Sequence, residues 1–296
     1  LMGCSQNGRS QQGSEEALYK GTWETDTSQR LVELSEFKTL LPRDGIPPID
    51  EPQFWNVAKA TEHYHDHEPI IAVAHDGNAK AYPISILTQH EIVNDKVGGK
   101  PLTITYCPLC NSGMVFERKL THDGKSYLLD FGVSGMLRKS DLVMWDRQTE
   151  SWWQQISGKA LVGGLAGATL TLFPSNMIAF EDFRNNYPDG EVLSTNTGHT
   201  RDYGINPYVN YDEDKDRQPR FFQEKTDGPL PPMERVVTIK GKERSKVYPY
   251  TIVSREEVIN DTHEERPLAI FYKGNTLSPL DEKEIKDSRK IGSATV

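Results

Sequence analysis

The chain has few cysteines and no long apolar run. Its three cysteines, Cys4, Cys107 and Cys110, are too few for a small disulfide-rich fold, in which cross-links compensate for a weak core. No stretch reaches the roughly 18–20 consecutive apolar residues that a membrane-spanning helix requires. The longest mildly apolar run, "ALVGGLAGATLTLF", is short and interrupted by glycines. We therefore expect no membrane-spanning segment.

Positive charge is also scarce. The net charge is −9 with a pI of about 5.5, and no dense basic patch stands out. Proteins that bind nucleic acid usually carry a basic surface, so we expect no nucleic-acid partner. With 296 residues, 36% of them hydrophobic, the chain can bury one large core or two modest ones.

The chain opens on a tetrapeptide with the pattern of a lipobox, Leu1-Met2-Gly3-Cys4. On this interpretation residues 1–3 are the end of a signal peptide and Cys4 is the lipidated N-terminus. The polar stretch up to residue 18 then serves as a flexible tether. We expect a lipid-anchored protein of the cell envelope, on the periplasmic or extracellular face, whose membrane contact is this anchor. The alternatives are a tag remnant or a chance tetrapeptide.

A stretch of the sequence recurs. Lys80–Tyr106 and Lys246–Tyr272 align without a gap at an offset of 166, with 11 of 27 positions identical. This predicts two related (duplicated) units. We assign residues 19–203 to the first unit, 204–232 to a linker rich in Pro and Asp, and 233–296 to a second unit that lacks counterparts of the later strands and is therefore apparently truncated. "IGSATV" at the end weakly resembles "NSGMVF" at residues 111–116.

The fold class predicted is α+β, dominated by strands. "PIIAVA", "PLTITY", "GMVFERK", "YLLDFG", "DLVMWD" and "TLTLF" read as strands. A helix is expected to begin at Pro83 and to continue to Val93, ending at Asn94-Asp95. A second helix is expected over "SNMIAFEDFRNNYP", with Ser175 as its N-cap.

The two units differ at reactive positions. His90 becomes Glu256, Cys107 becomes Lys273, and Cys110 has no cysteine opposite it in the second unit. Joint loss is what one shared site would undergo on becoming dispensable. On the predicted helix His90 lies on the apolar face, which directs it toward the end of the strand that delivers Cys107. A buried core histidine is the alternative.

Two thiolates and an imidazole suit copper or zinc, and copper is favoured if a thioether joins them. Met144 or His199 is a candidate further ligand, although packing in the core is the more common role for a methionine. A structural zinc site usually has four protein ligands and often a second Cys-x-x-Cys pair. Zinc is therefore less favoured than copper, and metal handling or electron transfer is the leading function.

Two other functions remain open. Cys107 and Cys110 can form a thiol–disulfide redox pair, although the residues after Cys110 read as a strand and not as the helix that lowers a thiol pKa. Alternatively, the pair is a plain disulfide in a ligand-binding module. Trp145, Trp152 and Trp153 would then line the ligand cleft, although ordinary core packing of these rings is the simpler interpretation.

Three long motifs carry a family resemblance: "HEIVND" from His90, "YCPLC" from Tyr106 and "FGVSG" from Phe131. With "SGMLRKSDLVMWDRQTESWWQ" they make the chain similar to the bacterial and archaeal domain-of-unknown-function family 3179, from about Asp44 to Val296. The resemblance implies an envelope or secreted protein. It implies no activity, because the family has none assigned.

Overall fold

The computed structural model describes residues 23–242 and 244–296. Cys4 and the tether up to residue 18 lie outside these residues. Within them, no helix is both long enough and apolar enough to cross a membrane.

Strands dominate the described residues, as the sequence predicts. The strands are β1 Phe37–Thr39, β2 Phe54–Asn56, β3 Pro69–His75, β4 Asn78–Pro83, β5 Ile92–Val97, β6 Lys100–Cys107, β7 Ser112–Glu117, β8 Lys119–His122, β9 Lys125–Leu128, β10 Phe131–Arg138, β11 Asp141–Asp146, β12 Trp152–Gln154, β13 Lys159–Val162, β14 Asn176–Ala179, β15 Glu191–Leu193, β16 Val236–Ile239, β17 Lys246–Pro249, β18 Val258–His263, β19 Arg266–Lys273 and β20 Ser293–Thr295. The α-helices are α1 Val57–Ala60, α2 Ile84–His90, α3 Phe180–Asn186 and α4 Tyr250–Glu256, and short 3₁₀ turns cover Leu34–Glu36 and Ile285–Asp287.

The strands form several small sheets. One has the order β1-β10-β11-β12-β13 and another the order β14-β3-β4-β15-β2. β5-β6-β7 and β18-β19-β20 are three-stranded, and β8-β9 and β16-β17 are two-stranded. Most neighbouring strands pair antiparallel, whereas β15 runs parallel to β4.

The same order of elements occurs twice. We call β3 to β7 with α2 the first motif (residues 69–117) and β16 to β20 with α4 the second motif (residues 236–295). The helices, β5 with β18, and β6 with β19 match residue for residue at the offset of 166. β7 and β20 pair alike with the preceding strand, with Ser112 opposite Cys107 and Ser293 opposite Lys273.

The helices of both motifs end earlier than the sequence pattern predicts. Pro83 and Pro249 are the N-caps, and the chain leaves the helix at Glu91 and Glu257, each with a φ of 59°. Asn94 and the residue after it therefore lie in β5, and the prediction of a helix up to Val93 was wrong. A non-glycine residue with positive φ redirects the chain sharply, which allows a strand to follow immediately.

Two further elements differ from the prediction. Residues 176–179 form β14, so the helix expected from Ser175 begins at Phe180. Residues 176–179 pair with β3 instead, and the partly buried side chains of Met177 and Ile178 pack against the apolar cluster there. The expected strand "TLTLF" makes only isolated bridges, Leu172 with Phe116 and Thr169 with Lys159.

Two large apolar clusters form the core around the first motif. One joins β3, β4 and α2 to α3 and β15, and the other joins the end of β6 to β10, β11 and β12. The second motif has a much smaller cluster, centred on Tyr248, Val253 and Ile270. The residues between β15 and β16 form turns without a helix or strand in their described part, but they are packed: Tyr211 is fully buried. The unit and linker boundaries stay a prediction.

Candidate functional site

The Cys-x-x-Cys turn connects β6 to β7. Cys107 is the last residue of β6 and is 1% exposed, and Cys110 is partly buried in the turn that follows. Asn111 closes the turn with a φ of 48°, and its backbone N–H donates to the carbonyl of Pro108. The two sulfurs thereby lie 3.2 Å apart as free thiols.

A carboxylate from another sheet completes the cluster. Asp141 begins β11, directly after the tight turn Lys139-Ser140, in which both residues have positive φ. Its Oδ1 lies 3.2 Å from the Sγ of Cys110. Ligand atoms of Cys107, Cys110 and Asp141 all lie within 4.8 Å of one another, the only such group of three or more among residues 23–242 and 244–296.

The second oxygen of Asp141 is held in place. Oδ2 accepts hydrogen bonds from the side-chain amide of Gln154 and from the backbone N–H of Ile156, the latter at 3.1 Å. Both donors belong to β12 and the turn after it. Asp141 is 3% exposed, so these bonds fix the carboxylate and leave Oδ1 directed at the thiols.

The electrostatics of this cluster disfavour negative charge. The hydrogen bond that the protonated Cys110 thiol shares with Cys107, followed by burial, raises the pKa of Cys110 well above its usual value. Burial also raises the pKa of Asp141 despite its hydrogen bonds. Glu91, at the end of α2, is 8% exposed, and burial together with the charge of Asp141 raises its pKa to about 8. Three acidic groups, Cys110, Asp141 and Glu91, therefore have environments in which deprotonation is costly unless a cation is present.

The segment after β15 covers the turn. The Tyr211 hydroxyl donates to the carbonyl of Leu109 at 3.1 Å and accepts from the backbone N–H of Arg220. The Ser140 hydroxyl donates to the carbonyl of Arg220. Burial, with the nearby Glu91 and Cys107, raises the pKa of Tyr208. The residues assigned to a linker thus form one wall of the site.

His90 lies elsewhere. It is fully buried, its Nδ1 is 2.7 Å from the Pro47 carbonyl, and its Nε2 is 2.7 Å from the Tyr203 hydroxyl. A carbonyl only accepts, so Nδ1 carries the hydrogen and Nε2 accepts from Tyr203. Burial lowers the pKa of His90 to about 4. His90 is not in the group that contains the two cysteines, and the structure gives both of its ring nitrogens other partners.

The structure places the other predicted site residues in three different settings. The His199 ring is exposed and lies 5.4 Å from the ring of His90, not in the cysteine group. Met144 is fully buried in the same apolar cluster as Cys107, as a core methionine would be. Trp145, Trp152 and Trp153 are all buried: the first two pack in a cluster with Phe37, and Trp153 donates to Asp146 at 2.8 Å.

A comparison with protein families identifies the family of this chain. The profile of the family described as "protein of unknown function (DUF3179)" matches residues 43–296. The chain belongs to this family. No curated protein and no solved structure matches the chain.

The DUF3179 match includes Cys107, Cys110 and Asp141 and the nearby Glu91, and the two acidic residues were not predicted as part of the site. Asp141 follows Cys110 by 31 positions and has no distinguishing spacing. Glu91 persists as Glu257 in the second motif, so the comparison of the two motifs pointed away from it. Its environment does differ, since Glu257 is exposed. The arrangement in this DUF3179 chain offers two sulfurs and one oxygen to a metal ion, or two thiols to an oxidant.

Proposed function

We propose that Cys107 and Cys110 of the first motif bind a metal ion together with Asp141 of β11, and that metal binding is the function of this site. The observation that carries the proposal is the approach of these three ligand atoms to within 4.8 Å of one another in a buried setting. Three protein ligands leave a position for water or a substrate, which is the pattern of catalytic rather than structural sites.

The chemistry of the donors supports this function. Thiolates and a carboxylate are common ligands of zinc, and the carboxylate is fixed through its other oxygen, as metal-binding carboxylates usually are. A divalent cation would also relieve the accumulation of acidic groups, because it stabilises their deprotonated forms.

The donor set changes the preferred metal. Copper was favoured on the premise that His90 and a thioether join the cysteines. An oxygen ligand in their place is less suited to copper(I), which prefers soft sulfur ligands, so we propose zinc ahead of copper. A role in metal handling or electron transfer belongs to the copper alternative.

The test is the metal content of the untagged full chain. We expect close to one metal ion per chain in the wild type, and a large loss in both Cys110→Ser and Asp141→Asn. His199→Ala is the matched control and should keep its metal, because His199 lies outside the cluster. Equal metal content in all four proteins, or loss in His199→Ala alone, would remove the proposal. Addition of cobalt(II) gives a second readout through its thiolate absorption.

A thiol redox function is the second candidate. The separation of 3.2 Å between the sulfurs favours it, because a small movement would allow a disulfide to form. The raised pKa of Cys110 weighs against it, because the thiolate is the reactive species. Thiol counting after exposure to oxidant, in metal-free protein and in zinc-loaded protein, separates the two functions. Protection by zinc supports metal binding, and rapid reversible oxidation in both forms supports redox chemistry.

We also infer that the two motifs descend from a duplication, and that the second lost its site. The identities at the offset of 166, the matching helices and the equal φ of Glu91 and Glu257 support this history. The same offset should recur in other members of the family. Members whose two segments are no more alike than unrelated sequences would contradict it.

For localisation we propose a lipid anchor on Cys4 in the cell envelope. The tetrapeptide Leu1-Met2-Gly3-Cys4 and the polar stretch after it support this. Mass spectrometry of the protein from the membrane fraction should find a lipidated N-terminal cysteine, and Cys4→Ser should release the protein. An unmodified Cys4 within a longer chain would exclude the anchor.

A further inference from the structure

Two polar side chains beside the Cys-x-x-Cys turn, Glu91 and Tyr208, have no hydrogen-bond partner in the described part of the chain. Glu91 is 8% exposed and Tyr208 is partly buried. Buried polar groups are nearly always hydrogen-bonded, because a donor or acceptor left unpaired costs free energy. Such a pair beside the proposed metal site indicates a place where a small ligand binds.

The backbone holds both residues against the turn. The carbonyl of Glu91 accepts from the N–H of Tyr106 at 2.8 Å, so Glu91 lies beside the residue that precedes Cys107. The carbonyl of Tyr208 accepts from the N–H of Tyr211, and the rings of these two tyrosines are 6.4 Å apart. The Tyr211 hydroxyl in turn donates to a carbonyl inside the Cys-x-x-Cys turn. Two separate segments of the chain therefore bring Glu91 and Tyr208 to the site.

The charges of the site reach both side chains. Burial and then the charge of Asp141 raise the pKa of Glu91. Burial and then the charges of Glu91 and Cys107 raise the pKa of Tyr208. Each of the two side chains thus lies within electrostatic range of a proposed metal ligand, and they lie within range of each other. Both belong to the surroundings of Cys107, Cys110 and Asp141.

Charge also limits the kind of ligand that fits. Two thiolates and a carboxylate already exceed the charge of a divalent cation, and Glu91 adds a further acidic group. Two arginines act on the tyrosines here, but both have partners. Arg220 lies over the ring of Tyr211, 5.1 Å from its centroid, and Arg235 is ion-paired with Asp212 at 3.2 Å. An anion would therefore meet repulsion at this site, whereas a neutral molecule would not.

We propose that Glu91 and Tyr208 bind the ligand at the open position of the metal site, and that this ligand is a small neutral molecule such as water, an alcohol or a primary amide. This inference rests on the metal function proposed above. The oxygen of the ligand binds the metal ion, and a hydrogen of the ligand is donated to a carboxyl oxygen of Glu91. The Tyr208 hydroxyl, which can donate or accept, makes a second hydrogen bond. The site thereby selects neutral ligands over anions of the same shape.

Acetamide and acetate test this selectivity, because they share a shape but differ in charge and in the hydrogens they can donate. The full chain is loaded with cobalt(II), whose visible absorption bands respond to a change of ligand. We expect acetamide to shift the bands of the wild type saturably and acetate to bind about tenfold or more weakly. Glu91→Leu and Tyr208→Phe should each weaken acetamide binding about tenfold. Glu91→Gln should stay within about twofold of the wild type, because its amide oxygen still accepts.

The second motif supplies the matched control, since Glu257 has the same φ as Glu91 but is exposed. Glu257→Leu should leave acetamide binding unchanged. Tyr187, which packs on Phe183 and is 38% exposed, gives the control Tyr187→Phe for the tyrosine. If Glu91→Leu does not fold, Tyr208→Phe decides the question.

Three results would overturn the proposal and leave the metal function intact, all in a wild type that binds cobalt. They are no shift by acetamide, acetate binding as tight as that of acetamide, and equal acetamide binding by the Tyr208→Phe and Tyr187→Phe variants. A wild type that binds no cobalt would instead remove the metal function, and this inference with it.

Discussion

Gly135 has a backbone conformation and a close backbone contact that disfavour any residue with a Cβ atom. Its φ is 78°, and a Cβ at this position would lie 2.1 Å from the carbonyl oxygen of Leu41. We predict that Gly135→Ala lowers the free energy of unfolding by about 3 kcal/mol, measured by urea denaturation. Gly124 is the control, because its φ is 75° but nothing lies within 4 Å of a Cβ there. Gly124→Ala should cost only about 1 kcal/mol, and equal costs for the two variants would contradict the steric explanation.

Glu68 makes stability depend on pH. It is buried beside the hydroxyl of Ser85, which donates to it, and burial raises its pKa from 4.5 to about 7. The folded state therefore binds this proton more tightly than the unfolded state does. Protonation of Glu68 stabilises the fold at low pH, and this stabilisation is lost as the pH rises from about 4.5 to 7.

Glu68→Gln should remove that dependence, since the amide stays neutral and its oxygen still accepts from Ser85. We predict that the variant gains about 3 kcal/mol in the free energy of unfolding relative to the wild type between pH 4.5 and pH 8, measured by urea denaturation at both values. A constant difference between the two proteins would mean that Glu68 does not titrate in this range.

The sequence predicted the thiols but not their third partner. The spacing of Cys107 and Cys110 alone implies a turn that brings two sulfurs together, because that geometry is local. Asp141 reaches them through the pairing of β10 with β11 and the packing of two sheets, which no local pattern encodes. His90 was placed by assuming that the helix continued to Val93. The helix ends at His90, and the side chain is directed to Tyr203 instead.

At the scale of elements, the two motifs allow equivalent hydrogen bonds to be compared within one chain. Tyr82 donates to Asp95 at 2.7 Å, and its equivalent Tyr248 donates to Asp261 at 2.9 Å. The aspartate side chains are 10% exposed in the first motif and 30% in the second. The same hydrogen bond is therefore made in two environments.

We predict that Tyr82→Phe costs about 2 kcal/mol and Tyr248→Phe less than about 1 kcal/mol, both by urea denaturation. Lys80 still contacts Asp95 and Lys246 still contacts Asp261 in these variants. A buried acceptor that loses one of its donors cannot recover that bond from water, whereas one that is 30% exposed can. A larger loss for Tyr248→Phe would indicate that the second motif is the better packed of the two.

Element type was predictable where the pattern was long. β3, β6, β7 and β11 lie where alternating or continuous apolar residues indicated strands. Residues 176–179 were predicted to be helical because they continue the apolar pattern of the helix after them. They form a strand because they pair with the edge of β3. The strand expected at 169–173 has a suitable composition but only isolated bridging partners.

At the scale of the whole molecule, the C-terminal residues complete the core of the first part of the chain. Leu280 is fully buried in the same cluster as Cys107, Leu109 and Tyr211. Asp212 holds this region in place through Ser278 and Arg289. A boundary drawn between repeats in the sequence does not reveal such contacts, because even the hydrogen bonds of Asp212 join residues 66 and 77 positions apart.

Leu280→Ala should therefore act on the cysteine site from a distance in sequence. We predict a loss of about 3 kcal/mol in the free energy of unfolding, because a buried leucine leaves a cavity. The backbone of Leu280 accepts from Tyr211, and the Tyr211 hydroxyl holds the Leu109 carbonyl in the Cys-x-x-Cys turn, so metal affinity should fall as well. Leu128→Ala is the control for an exposed leucine and should change neither quantity measurably. If Leu280→Ala lowers stability but leaves metal affinity at the wild-type value, the residues after β19 support the core without shaping the site.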